Sequence, residues 1–217
     1  MTNSKPLWQW DAQEIASATR AGKLSAVEAT EAAIARMEEV NPALNAVVEN
    51  LATEARAEAA ALDKNSAPKG PLHGVPVTIK INVDQKGHAT SNGVPAFKDV
   101  IAPEDAPVVR NLKQAGAIVI GRTNTPEFSF RADTDNPLYG RTYNPWGRHL
   151  SAGGSSGGAG AAVMAGIGAL AIGVVGVAVV AGLARWQIGG YNGDTLGAAQ
   201  QVAEIGVLIV ISAQSAQ

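Results

Sequence analysis

The segment Pro76-Val-Thr-Ile-Lys-Ile81 decides the fold class of this 217-residue chain. It is a short run of β-branched residues bounded by glycine and proline, which is typical of a strand buried on both faces. A second such run, Ala117-Ile-Val-Ile-Gly-Arg122, follows it, and residues 106–115 between the two predict a helix. Strands that alternate with helices indicate a parallel sheet, so we assign the first 150 residues to the α/β class.

A lysine stands near the end of the first of these strands. Lys80 in an apolar strand is more often an edge residue whose stem is buried while its ammonium group reaches water. The alternative is a desolvated lysine with a lowered pKa, whose amine acts as a base toward a serine hydroxyl. The strand pattern alone leaves both interpretations open.

Residues 11–63 lie before the first strand and predict two helices separated at Asn41-Pro42. The first helix carries apolar residues at roughly helical spacing, and Ser25 is its predicted N-cap. The second runs from about residue 44 to residue 62 and is rich in alanine and glutamate.

The amino-acid composition of the chain excludes several classes of function. The net charge is −2 and no lysine- or arginine-dense block occurs, so nucleic acid is not an expected partner. The chain has no cysteine, which excludes disulfides and thiolate chemistry, and His73, His88 and His149 are too scattered to predict a metal centre. The N-terminal residues lack the order of a signal peptide. We therefore expect a cytoplasmic protein with neither metal nor cofactor.

Residues 149–163, HLSAGGSSGGAGAAV, place two serines, Ser155 and Ser156, between two Gly-Gly pairs. Glycines let backbone N–H groups converge on a small anion, which indicates oxyanion or phosphate chemistry. A phosphate loop would need a lysine after Gly158, and none follows, so nucleotide binding is disfavoured. The alternative is a flexible Gly/Ser linker.

Five blocks of sequence occur in a characteristic order. They are GPLHGVPVTIK at 70–80, GRTNTPEF at 121–128, YG at 139–140, NPW at 144–146 and SAGGSSGG at 151–158. Together they resemble the amidase signature family, over about residues 6–173. The resemblance implies an α/β/α fold and the hydrolysis of small carboxylic amides through a Ser-Ser-Lys triad without metal.

The resemblance also implies roles for individual residues. Lys80 matches the base of the family, and Ser155 matches the bridging serine, which sits on a cis peptide and relays the proton; Ser156 has no role in the triad. The nucleophilic serine of the family ends a Gly-x-Asp-Ile-Gly-Gly-Ser block, which here begins at Gly173 and places Val179 at the serine position. Because valine cannot attack a carbonyl, we expect catalysis to be impaired.

The C-terminal part of the chain is apolar. Residues 163–184 are 22 consecutive apolar or glycine residues, enough to span a bilayer, and Arg185-Trp186 follows as an interfacial anchor. For residues 159–173 a core helix followed by a strand fits the amidase resemblance better, whereas for residues 174–184 a membrane helix is favoured. The stretch RWQIGGYNGDTLGAAQQVAE at 185–204 is followed by a last apolar run at 205–213. Residues 174–213 thereby resemble the C-terminal end of the cobalamin synthases, adenosylcobinamide-GDP ribazoletransferases. We expect membrane association through residues 163–184 and 205–213.

We therefore divide the chain at residues 173/174, into a partial amidase-signature domain with N-terminal helices (1–173) and an apolar, transmembrane helical tail (174–217). The main hypothesis is an amidase-type hydrolase, and it predicts that Lys80 points toward Ser155. One alternative is a membrane-associated cobalamin synthase fragment, although the acidic metal-binding motif of that enzyme is not found. The other is a non-catalytic binding module.

Overall fold

The computed structural model describes residues 5–65 and 70–172, in which helices cover both faces of a mixed sheet. The helices are α1 (Ala12–Arg20), α2 (Ala26–Leu44), α3 (Ala52–Lys64), α4 (Pro107–Gln114) and α5 (Gly157–Met164). The strands are β1 (Val47–Asn50), β2 (Pro76–Lys80), β3 (Ile118–Thr123) and β4 (Leu170–Ala171). Short 3-10 turns lie at Leu7–Gln9, Pro95–Phe97 and Glu127–Ser129.

The strands of the sheet lie in the order β1-β3-β2-β4. The central strand β2 is parallel to both β3 and β4, and β1 is antiparallel to β3. The connection from β2 to β3 contains α4, as a crossover between parallel strands requires. The two predicted buried strands, the helix between them and the α/β class are therefore confirmed.

Alternate residues of β3 contribute to two apolar layers, one on each face of the sheet. Ile118 and Ile120 pack with apolar residues of α2, α3 and α5. Val119 packs instead with Val77 and Ile79 of β2 and with residues of α1 and α4. Since successive side chains of a strand point to opposite faces, β3 is buried on both sides. The resulting helix–sheet–helix layering agrees with the fold that the family resemblance implies.

The region before β2 differs from the prediction of two helices. The first predicted helix is divided into α1 and α2 by a turn in which Gly22 has a φ of 68°. The predicted break at Asn41-Pro42 is wrong, because Pro42 lies inside α2, which ends at a C-cap, Asn45, with a φ of 51°. Residues 47–50 were predicted to be helical and form β1 instead, because pairing with β3 satisfies their backbone groups.

The N-terminus of α2 is held by two sets of hydrogen bonds. The Ser25 hydroxyl accepts from the backbone N–H of Glu28 at 3.0 Å, and the Glu28 carboxylate accepts from the N–H of Ser25 at 2.8 Å, which confirms Ser25 as the N-cap. The Asp63 carboxylate accepts from the N–H groups of Ala26 and Val27. The first N–H groups of the helix therefore have acceptors, and the end of α3 is tied to the start of α2.

The first part of the apolar tail does not form a membrane helix. Helix α5 ends at Met164, with Ala165 as its C-cap. Gly166 and Gly168 have positive φ values of 81° and 74°, and β4 then pairs with β2. The expected helix followed by a strand is confirmed, and a continuous helix over residues 163–184 is wrong because the chain turns back into the sheet. No helix of the described ranges 5–65 and 70–172 is long and apolar enough to cross a membrane. The predicted spans at 174–184 and 205–213 lie outside the described residues.

Candidate active site

Lys80 is the last residue of β2, and it is 3% exposed to solvent. The Lys80 Nζ atom lies 2.9 Å from the Ser155 Oγ atom. The side chain is therefore neither at a sheet edge nor directed to bulk water, because β3 and β4 flank its strand. The structure confirms the predicted approach of Lys80 to Ser155, which are 75 residues apart in sequence.

Ser155 lies in the segment that leads into α5, and the Gly154–Ser155 peptide bond is cis. Two glycines let this segment approach its neighbours closely. A Cβ atom at Gly154 would overlap the carbonyl oxygen of Arg131, and one at Gly158 would collide with the backbone of Asn124. The Gly-Gly pairs that flank the serines therefore serve close packing in this structure, and the flexible-linker interpretation is wrong.

Two threonines fix the backbone around Ser155. The Thr125 hydroxyl donates to the Ser155 carbonyl at 3.1 Å. The Thr134 hydroxyl, which is fully buried, donates to the Gly153 carbonyl at 2.8 Å and accepts from the Gly157 N–H at 3.1 Å. Sequence reasoning missed both threonines, since each lies in a loop with no regular periodicity.

Buried amides hold the loop that carries these threonines. Asn124 Nδ2 donates to the Gly140 carbonyl at 2.9 Å and to the Thr142 hydroxyl at 3.1 Å. Asn136 Nδ2 donates to Asn124 Oδ1 at 2.7 Å, and Asn136 Oδ1 accepts from the N–H of Tyr139 at 2.7 Å. These contacts give hydrogen-bond partners to the side chains of Asn124 and Asn136, which are both buried.

A strained turn brings a third hydroxyl near Ser155. Phe128 and Ser129 have φ values of 52° and 59°, a left-handed conformation that is uncommon outside glycine. The Ser129 Oγ atom lies 3.0 Å from Thr125 Oγ1 and accepts from Asn82 Nδ2 at 3.2 Å. The turn therefore links the residues after β2 to the threonine that holds the Ser155 carbonyl.

The neighbouring serine differs from Ser155. The Ser156 Oγ atom is buried and has no hydrogen-bond partner among residues 5–65 and 70–172. Ser156 is the N-cap residue of α5, yet its side chain makes no capping bond. A buried hydroxyl without a partner costs free energy, so this group requires an explanation.

The three histidines lie apart from Lys80 and Ser155. His88 Nδ1 contacts Glu49 at 2.5 Å and His88 Nε2 contacts Glu54 at 3.2 Å, a pairing with acidic residues that their sequence positions did not reveal. His73 is buried and its carbonyl accepts from the Thr19 hydroxyl. Val179, which stands at the expected nucleophile position, lies outside the described residues.

The arrangement brings together an amine, a hydroxyl and a rigid backbone. A lysine amine within hydrogen-bond distance of a serine hydroxyl can act as a general base, because the amine accepts the hydroxyl proton once it is uncharged. The serine lies beside the N-terminus of α5, where the helix dipole favours negative charge. These features suit acyl transfer.

Comparisons with known proteins agree with this geometry. The sequence profile of the family described as Amidase matches residues 28–174. An indoleacetamide hydrolase from Bradyrhizobium diazoefficiens is 63% identical over 171 residues, which cover 77% of this chain and 33% of that protein. An acylamidase from Rhodococcus erythropolis is 44% identical over 80% of this chain and 37% of that protein. The chain spans about a third of the length of these curated relatives.

A second profile, described as Cobalamin-5-phosphate synthase, matches residues 140–212. Of these residues, 140–172 are described, and they contain Ser155, α5 and the sheet strand β4. The remaining part of the match, residues 173–212, lies outside the described residues.

The chain is also similar to solved structures of amidase signature enzymes. A bacterial aryl acylamidase of the amidase signature enzymes superposes with a TM-score of 0.72 at 34% identity, over 76% of this chain and 35% of that chain. With the profile match over more than half of the sequence, these findings show that the chain belongs to the amidase family.

Proposed function

We propose that residues 1–173 are part of a hydrolase that cleaves the C–N bond of small carboxylic amides. The observation that carries this proposal is the 2.9 Å contact between Lys80 Nζ and Ser155 Oγ, at positions that match the base and the bridging serine of the family. The similarity to an indoleacetamide hydrolase and to an acylamidase supports a small amide of the indoleacetamide type as substrate.

In the proposed Ser-Ser-Lys mechanism, the uncharged Lys80 amine accepts the proton of Ser155. Ser155 in turn accepts a proton from a nucleophilic serine as that serine attacks the amide carbonyl. The hydrogen bonds from Thr125 and Thr134 to the backbone on either side keep the Ser155 hydroxyl within reach of Lys80. Lys80 and Ser155 thereby supply the base and the proton relay.

We further propose that this chain is catalytically impaired. Its sequence places Val179, which has no hydroxyl, at the position of the nucleophilic serine. Removing the nucleophile of a serine hydrolase costs about a millionfold in kcat. The chain should therefore release ammonia from indole-3-acetamide at no more than a trace of the rate of its full-length relative.

The impairment would follow from a junction between two unrelated parts. We propose a partial amidase domain over residues 1–173 and a separate tail over residues 174–217 that resembles the C-terminus of cobalamin synthase. The cobalamin synthase profile match over residues 140–212 includes most of this tail, and it also overlaps the amidase match over residues 140–174. Uninterrupted genomic reads across codons 170–180 would establish the junction as a property of the gene, whereas reads that restore the amidase sequence would refute it.

A segment exchange tests the amidase assignment independently of the tail. Residues 173–217 would be replaced by the segment that follows the matched region in the Bradyrhizobium diazoefficiens relative, and ammonia release from indole-3-acetamide would be measured. We expect the exchanged protein to hydrolyse this amide and Ser155→Ala to abolish the hydrolysis. Exchange of Lys113, a half-buried residue paired with Asp105, for methionine should leave the rate unchanged. A folded but inactive exchanged protein would contradict the proposed function.

A further inference from the structure

We propose that Lys80 and Ser155 of this chain form a serine–lysine dyad in which Ser155 itself is the nucleophile toward activated acyl and phosphonyl compounds. The inference rests on the proposed function in one respect, since Lys80 is the base in both. It differs in the attacking atom, which here is the hydroxyl in direct contact with the lysine. The ligands are compounds with a good leaving group.

The geometry meets the first requirement of such a dyad. The Lys80 Nζ and Ser155 Oγ atoms are 2.9 Å apart, which is the separation at which a base can take the proton of a nucleophile. Lys80 is 3% exposed, and burial in general disfavours a charged ammonium group. The chain has no cysteine to compete as a nucleophile.

The second requirement is a nucleophile that is accessible and held in a fixed position. Ser155 is half-buried, whereas Lys80 is buried, so Ser155 is the more accessible residue of the pair. The backbone on both sides of Ser155 is fixed, because Thr125 bonds its carbonyl and Thr134 bonds Gly153 and Gly157. A nucleophile held in this way loses little freedom when it reacts.

Ser156 supplies the third requirement, a donor for the negative charge that develops on the electrophile. Its hydroxyl is buried, and within the described part of the chain it has no hydrogen-bond partner. It occupies the N-cap position of the eight-residue helix α5, where the dipole also favours an anion. The dyad therefore assigns a use to a hydroxyl for which the family scheme has none.

The chemical step balances without any further reactant. Ser155 Oγ forms a bond to the phosphorus of a fluorophosphonate, the P–F bond breaks, and fluoride leaves with the bonding electrons. The proton of Ser155 passes to the uncharged Lys80 amine, which becomes an ammonium group. The product is a stable phosphonyl ester on Ser155.

The experiment treats the full-length chain with an alkyl fluorophosphonate and locates the adduct by peptide mass spectrometry. We expect one adduct per chain, on Ser155, and none in Ser155→Ala. Lys80→Met should slow the labelling about 1000-fold, as loss of a general base does. Ser156→Ala should slow it about 100-fold, as loss of one oxyanion donor does. The control variant Lys113→Met should label at the rate of the parent chain.

Three outcomes would overturn the dyad: an adduct on a residue other than Ser155, no adduct, or an unchanged rate in a Lys80→Met variant with the circular dichroism spectrum of the parent. Should Lys80→Met fail to fold, Ser155→Ala removes one hydroxyl only and still decides which residue reacts. The labelling experiment and the segment exchange test the dyad and the proposed amidase function independently of each other. Labelling of Ser155 with an inactive exchanged protein would refute only the amidase function, and an active exchanged protein without labelling would refute only the dyad.

Discussion

Two buried cationic residues lie on adjacent strands of the sheet and have different surroundings. Arg122 of β3 pairs in register with Ile79 of β2, one residue before Lys80. The Arg122 guanidinium is fully buried and donates to the Glu49 carboxylate at 2.9 Å and to two backbone carbonyls. Lys80, also buried, contacts the Ser155 hydroxyl. Arg122 thus faces a carboxylate, whereas Lys80 faces a serine hydroxyl.

The difference follows from the chemistry of the two side chains. A guanidinium group remains protonated in proteins, so burying it requires a carboxylate and further acceptors. A lysine amine can release its proton and then accept one from a neighbour. We infer that Arg122 stabilises the fold, whereas the proposed function gives Lys80 a chemical role. The predictions below separate these two roles.

The largest effect on stability is expected at Arg122. Glu49→Gln removes the carboxylate that faces Arg122 and His88, and leaves a buried guanidinium without its counter-ion. We expect the free energy of unfolding, measured by urea denaturation, to fall by about 3 kcal/mol. The matched control is Glu31→Gln, which breaks an ion pair with Arg56 at the surface and should cost less than about 0.5 kcal/mol. Equal losses in the two variants would contradict the role given to Arg122.

A smaller loss is expected where hydrogen bonds hold the segment of Ser155. Thr134→Val keeps the shape of the side chain but leaves the Gly153 carbonyl and the Gly157 N–H without their partner. We expect a loss of about 2 kcal/mol by urea denaturation. Thr53→Val, at an exposed position of α3, should change stability by less than about 0.5 kcal/mol. A variant at Thr134 as stable as the parent would show that these bonds do not fix the segment.

The sequence predicted the centre of the molecule better than its periphery. The strands β2 and β3 were predictable because both faces are buried and β-branched residues are therefore continuous. The strand β1 was not, because four residues between helical segments form a strand only by pairing with β3. The turn at Gly22 was missed because the apolar spacing continues across it.

The candidate site was predictable only in part, for a related reason. The positions of Lys80 and Ser155 followed from family resemblance, since no local pattern reveals a contact across 75 residues. Thr125, Thr134 and Ser129 act through single hydrogen bonds from loops, and a loop hydroxyl in a sequence gives no sign of its partner.

A loss of stability typical of an N-cap is expected at the N-terminus of α2, which lies away from Arg122 and Lys80. Ser25→Ala should cost about 1 kcal/mol at pH 7. The pKa of Glu28 is lowered below its ordinary value of 4.5, because the backbone N–H and the hydroxyl of Ser25 donate to its carboxylate. This stabilisation is therefore present above pH 4.5 and is lost as the pH falls through the lowered pKa. Thermal unfolding should show the difference between Ser25→Ala and the parent shrinking toward pH 3; a difference independent of pH would contradict the capping box.

The smallest effect on stability is expected at Lys80. Lys80→Met keeps the length of the side chain but removes the hydrogen bond to Ser155, so the free energy of unfolding should fall by no more than about 1 kcal/mol. Urea denaturation beside Glu49→Gln makes the comparison direct. If Lys80→Met lowered the free energy of unfolding as much as Glu49→Gln does, Lys80 would have a structural role like that of Arg122.

The measurement that tests the central claim most directly is the kcat/KM of the exchanged protein for indole-3-acetamide, determined with and without Lys80→Met. Loss of a general base removes about 1000-fold of the rate without requiring any loss of stability. The account predicts a fall of this size in a variant whose urea denaturation curve matches that of its parent. An unchanged kcat/KM, or a fall that only accompanies unfolding, would contradict the claim that Lys80 and Ser155 form the chemical centre of this amidase fold.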